Sequence, residues 1–87
     1  DTFSSTNEEF TNTSLYPNPT STSFQVNYSS EIGTSELKVF NLQGKLILQK
    51  PNYQQESIDV TNFSSGVYFV ELTSREREVW RKKLIKE

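Results

Sequence analysis

The run Gly66-Val67-Tyr68-Phe69-Val70-Glu71-Leu72 limits most sharply what this chain can fold into. It is an unbroken stretch of β-branched and aromatic residues, the composition of a strand. Successive side chains of a strand point to opposite faces. Tyr68, Val70 and Leu72 therefore share one face, and Val67 and Phe69 share the other. Apolar residues on both faces predict a central strand covered on both sides. Ser64-Ser65-Gly66 ahead of it is a turn signal, with Gly66 supplying a backbone conformation at positive φ.

The same period of two runs through the rest of the chain. In residues 23–28, Phe24, Val26 and Tyr28 alternate with Ser23, Gln25 and Asn27, as in a half-buried strand. Residues 29–34 read as a loop. Residues 36–42 form a further strand, with Leu37 and Val39 on one face and Phe40 and Leu42 on the other. Gln43-Gly44 then predicts a tight two-residue hairpin into residues 45–50. Pro51-Asn52 is expected to end that strand. Residues 56–60 make a short strand with Ile58 and Val60 inward. Residues 78–86 mix apolar and basic side chains. A helix would pair Trp80 with Leu84, but the β pattern of everything before it favours a strand. Six or seven short strands with turns every ~8–12 residues predict an all-β, immunoglobulin-like antiparallel sandwich of about seven strands.

An 87-residue chain makes one small domain. It buries only about 60% of its unfolded surface. With no Cys there is no disulfide framework to add stability. Residues 1–13 are polar and predict a flexible linker or frayed end, followed by a folded domain over residues 14–87. Because the chain starts at Asp1 and holds no Met, it is expected to be a processed or excised piece. Net charge is −2. Its distribution is uneven: residues 1–36 carry acids and no Lys or Arg, whereas residues 75–87 carry six basic residues. The basic end reads as a solvated edge strand guarded by charge.

Searching for chemistry yields little. Without His or Cys no triad of the usual kind forms, and the commonest zinc ligands are missing. No carboxylate pair, calcium loop or phosphate-cradling Gly run is present. Trp80 beside Arg81, Lys82 and Lys83 suits a core tryptophan better than a nucleic-acid stack, given the negative net charge. The expectation is a domain that is no enzyme, has no cofactor, and carries its information in its surface.

Four motifs, in order, carry a resemblance to a known family. They are Tyr16-Pro17-Asn18-Pro19; Val39-Phe40-Asn41-Leu42-Gln43-Gly44-Lys45; Ile58-Asp59-Val60 with Phe63 and Gly66-Val67-Tyr68-Phe69-Val70; and Lys82-Lys83-Leu84-Ile85-Lys86. Together they resemble the type A C-terminal sorting domain of the type IX secretion system of Bacteroidota. Thr22, Phe63 and Ser65 depart from the residues common in that family. On this resemblance the motif residues are Pro17, Asn18, Pro19, Gly44, Lys45, Gly66, Tyr68, Lys83, Leu84, Ile85 and Lys86.

The resemblance implies a non-catalytic signal that directs its cargo through the periplasm to the type IX outer-membrane translocon. A sortase-like protease then removes the domain, and the cargo reaches the cell surface or the medium. It implies no nucleic-acid partner and no membrane insertion. From the residues themselves we expect the basic last strand, with Lys83 and Lys86, to form an exposed edge beside the Pro17–Pro19 corner. Tyr68 is expected to act as a tyrosine corner, its hydroxyl bonding upstream backbone. Two alternatives remain: a structural spacer, and an accessory module binding carbohydrate or protein on Tyr28, Tyr53 and Phe40.

Overall fold

A computed structural model of the chain describes residues 13–28, 35–74 and 77–87. Among them are seven strands and no helix: β1 (Ser14–Tyr16), β2 (Ser23–Asn27), β3 (Ser35–Phe40), β4 (Leu46–Tyr53), β5 (Ile58–Asp59), β6 (Gly66–Thr73) and β7 (Val79–Lys86). They form two sheets, of order β1-β2-β5 and β4-β3-β6-β7, with every pair antiparallel. This is the expected immunoglobulin-like sandwich, three strands against four. The final segment is a strand, not a helix. The expected linker, apart from Thr13, and the loop 29–34 lie outside the described residues.

Strict alternation builds the core. Phe24 and Val26 of β2 meet Leu37 and Val39 of β3, Tyr68, Val70 and Leu72 of β6, and Leu84 of β7 in one buried cluster. Ile58 and Val60 join it as expected, with Ser57 and Asp59 exposed. Each fully buried aliphatic or aromatic side chain contributes ~1.5–3 kcal/mol from burial, and a chain without disulfides depends on that term.

Three local expectations change. β6 is central, between β3 and β7, but it is not covered on both sides. Val67 and Phe69 are only half-buried on the sheet's outer face. Their cover comes from cross-strand neighbours, Ile85 opposite Val67 and Phe40 opposite Phe69.

The β3–β4 link is longer than two residues, and Leu42 sits in the turn, 65% exposed, outside the strand. Asn41 explains the length. Its backbone carbonyl accepts from Gly44 N at 2.9 Å, and its side-chain Oδ1 accepts from Gln43 N at 3.0 Å and Lys45 N at 2.9 Å. An Asn that caps its own turn in this way stabilises a five-residue link, residues 41–45. Gly44 has φ +89°, a conformation that suits glycine.

Finally, β4 runs through Pro51-Asn52 to Tyr53. Because β4 is an edge strand, a residue without an N–H is tolerated where the ladder slips. The slip is visible as a register shift: Leu37 pairs with Lys50 and Ser35 with Tyr53.

Beyond the bend, Tyr53 is fully buried. Its hydroxyl donates to the Glu56 carbonyl at 2.5 Å and accepts from Val26 N at 3.0 Å. The Tyr28 hydroxyl donates to the Tyr53 carbonyl at 2.7 Å. This network satisfies polar atoms inside the core. It also removes Tyr28 and Tyr53 from any sugar-binding platform, because both rings are buried.

Candidate functional site

The topology sorts the loops between two poles. β1 starts opposite the end of β2, so Thr13 lies at the pole that also holds Tyr28 and Tyr53. Residues 17–22, the 41–45 turn, the 61–66 turn and the end of β7 gather at the other pole. Four sets of contacts establish this. Thr20 pairs with Lys86 in a parallel bridge, and Gly66 is opposite Lys86. Val60 N donates to the Thr22 carbonyl at 2.8 Å. A shallow depression of about 340 Å³ separates the 41–43 turn from residues 64–68. Segments far apart in sequence thus converge on one end of the sandwich, remote from Thr13.

The tightest joint there links the Pro corner to the last strand. Both Tyr16-Pro17 and Asn18-Pro19 are cis, and Pro17, Asn18 and Pro19 are exposed. The Asn18 carboxamide lies along the free edge of β7. Its Nδ2 donates to the Lys83 carbonyl at 2.8 Å, and Ile85 N donates to its Oδ1 at 3.0 Å. One side chain thereby supplies the donor and acceptor that a neighbouring strand would supply. Thr20 continues the stitch with its backbone. Its N donates to the Ile85 carbonyl at 2.9 Å, and its carbonyl accepts from Glu87 N at 2.8 Å. Thr20 is buried, and its Oγ1 donates to the Ser23 carbonyl. The edge groups of residues 83–87 are satisfied without an added strand.

Alternation along β7 separates its motif residues. Leu84 and Lys86 turn inward and are buried. Lys83 and Ile85 turn outward and are exposed. Lys86 is therefore not part of an exposed edge, contrary to expectation. It is 7% exposed, and its Nζ donates to the Glu87 carbonyl at 3.1 Å. Its position two residues beyond Leu84 fixes the direction, and its stem packs while its ammonium finds a carbonyl. Lys83 beside the Pro17–Pro19 corner stands as expected. Gly44 and Lys45 are exposed in their turn at the same pole.

Tyr68 has the predicted geometry of a tyrosine corner. It is buried, its hydroxyl donates to the Ser64 carbonyl at 2.7 Å, and its ring lies 5.1 Å from that of Phe63. Gly66 between them has φ +149°, and a Cβ there would meet nothing within 4 Å. Backbone conformation rather than space selects glycine at this turn. Two carboxylates, Asp59 and Glu56, are tuned by their immediate neighbours. Asp59 is held below the usual carboxylate range by the Thr61 hydroxyl and then the Thr61 amide. Glu56 is lowered by the Gln54 amide and then by Lys50, whose Nζ lies 3.0 Å away. Among the described residues, no group of three or more metal-ligating side chains converges.

Comparison with known proteins places this arrangement. The family model described as the secretion system C-terminal sorting domain matches residues 14–87. The chain belongs to that family. Its members are sorting signals, so this sorting domain is a secretion signal and not a catalyst, and it directs export to the cell surface or the extracellular space. The domain is also similar to ulvan lyase NLR42 of Nonlabens ulvanivorans, at 34% identity over 86 residues. That match covers 97% of this chain but 16% of the lyase.

Sequence reasoning placed the Pro corner beside the last strand but missed how they are joined. An Asn between two prolines signals a turn. It does not signal that its carboxamide will stand in for a strand 65 residues away. Thr20 gave no signal, since an isolated Thr in a Ser/Thr-rich stretch is indistinguishable from its neighbours.

Proposed function

We propose that this sorting domain is read in its folded state at the joint between the Pro17–Pro19 corner and the outer edge of β7. It directs a cargo fused ahead of Thr13 from the periplasm through the type IX outer-membrane translocon, and a sortase-like protease then removes it. The observation that carries this reading is the bridge from Asn18 to Lys83 and Ile85, which unites two separate signature segments in one exposed feature. The position of this feature supports the same reading. It lies at the pole away from Thr13, so an attached cargo leaves it accessible. The rigid sandwich supplies a stable shape, and the signature residues that face inward maintain it.

Lys83→Ala tests the proposal. Lys83 is exposed and makes no ion pair among the described residues, so the substitution spares the fold. A reporter fused to the variant is expected to accumulate in the periplasm while the domain melts at its usual temperature. Undiminished surface delivery would overturn the assignment of the β7 edge as the recognised feature.

A further inference from the structure

The outer face of the four-stranded sheet divides into two halves of opposite character. Cross-strand register defines them. Nearer Thr13, Lys38 lies opposite Glu71 and Glu71 opposite Arg81. Arg81 and Glu71 form an ion pair, and the Gln49 side chain bonds Glu36. That half is closed on itself by charge pairing. At the signature pole, Leu46 lies opposite Phe40, Phe40 opposite Phe69, and Val67 opposite Ile85. Leu46 is 41% exposed and Ile85 37% exposed, while Phe40, Val67 and Phe69 are half-buried. None of the five belongs to the buried core or its packed rim. A contiguous apolar patch of this kind on a small domain marks an interaction surface.

Two cations flank the patch. Lys83 sits opposite Phe69, and Lys45 precedes Leu46 in the turn. Neither makes an ion pair among the described residues, although Lys38, Lys50 and Arg81 all do. The patch is continuous with the Asn18 joint, because Ile85 lends its N–H to Asn18 and its side chain to the patch.

We infer that this patch is the docking surface for a protein of the secretion machinery that presents apolar side chains bordered by carboxylates. The inference rests on the reading of the domain as a folded sorting signal. Apolar residues at the centre provide affinity, and Lys45 and Lys83 set orientation and approach. A second copy of the domain is a poorer occupant, since it would bring unpaired lysines where carboxylates are needed.

Leu46→Ser with Ile85→Ser tests this in a reporter fusion of the full chain, with Gln49→Ser on the charged half as control. The double variant is expected to lower surface delivery about tenfold or more, the loss of one or two apolar anchors. The double variant loses the cover of Ile85 on Val67 and melts somewhat lower, so delivery is read at a temperature where it is shown to be folded. Delivery of the control should stay unchanged. Normal delivery of the double variant, with Lys83→Ala still trapped in the periplasm, overturns the patch and leaves the sorting reading standing. Normal delivery of both overturns both. Sedimentation of the wild-type fusion supplies the second arm. A monomer is expected, and a dimer abolished by the double substitution assigns the patch to self-association and overturns the proposal.

Discussion

The two edges of the four-stranded sheet meet the same hazard in different ways. Each presents a row of backbone groups that another chain could pair with. At β7 the edge is stitched over residues 83–87 by Asn18 and Thr20, and the strand anchors itself through buried Leu84 and Lys86. At β4 the edge is protected by irregularity. Its register shifts twice, it contains Pro51 and a left-handed Asn52 with φ 57°, and only Tyr53 is buried. One edge is built into the fold, and the other is kept from pairing. The difference teaches where a readable shape can reside. A stitched edge has one conformation to recognise, while a bulged edge tolerates change.

Substitution should expose that contrast, most strongly in the core-facing positions. Leu84→Ala in β7 is expected to cost ~2–5 kcal/mol, the range for a large buried aliphatic. Ile47→Ala in β4, at a 39% exposed position, should stay within about 0.5 kcal/mol. Urea unfolding of the two variants measures the gap, and equal losses would break the comparison.

Asn18→Ala comes next. It removes two hydrogen bonds at an exposed site, so a loss of about 1–2 kcal/mol is expected. In a domain of this size that lowers the melting temperature by roughly 4–8 °C per kcal/mol. Amide hydrogen exchange should quicken at Ile85 and stay unchanged at Gln49 in β4.

Tyr68→Phe removes only the hydroxyl bond to Ser64. A loss of about 1 kcal/mol is expected, with normal delivery of a fused reporter once the domain is folded. A transport defect at full stability would instead make Tyr68 part of what is recognised.

The smallest effect is in alkali. Burial, first among the causes, pushes the Tyr53 phenol up to about 12. Its folded pKa lies above the ordinary value near 10. The stability it adds is therefore complete below about pH 10 and is lost as pH rises toward about 12. Ultraviolet titration should show a late tyrosinate step that is absent from Tyr53→Phe. That would confirm that the end of β4 is anchored by one residue.

Much of this was legible in the sequence because alternation is a local code. Phe24, Val26, Leu37, Val39, Val70 and Leu72 announced their faces by spacing alone, and a sandwich of about seven strands followed from strand count, whereas its division into three strands against four depends on pairing that spacing does not carry. Lys83 and the Pro corner were placed together from the charge asymmetry and the position of the basic segment last in the sequence. What escaped depended on partners distant in sequence. Pro51 looked like a strand end because its tolerance depends on β4 lying at an edge. Lys86 looked exposed because charge outweighed parity in the reading, although its spacing from Leu84 pointed inward. Tyr28 and Tyr53 could be offered as a surface platform because the Tyr53 carbonyl that accepts from Tyr28 and the Val26 amide that donates to Tyr53 are distant in sequence. The outer-face patch was hidden because Phe40, Val67 and Phe69 become neighbours only through register.

The central claim is that the corner and the last strand act as one recognised joint. Surface delivery of a reporter fused to Asn18→Ala, measured at a temperature where the variant domain is shown to be folded, tests it most directly. The account predicts a folded domain whose cargo stays in the periplasm. Delivery at the wild-type level from that folded variant would contradict it.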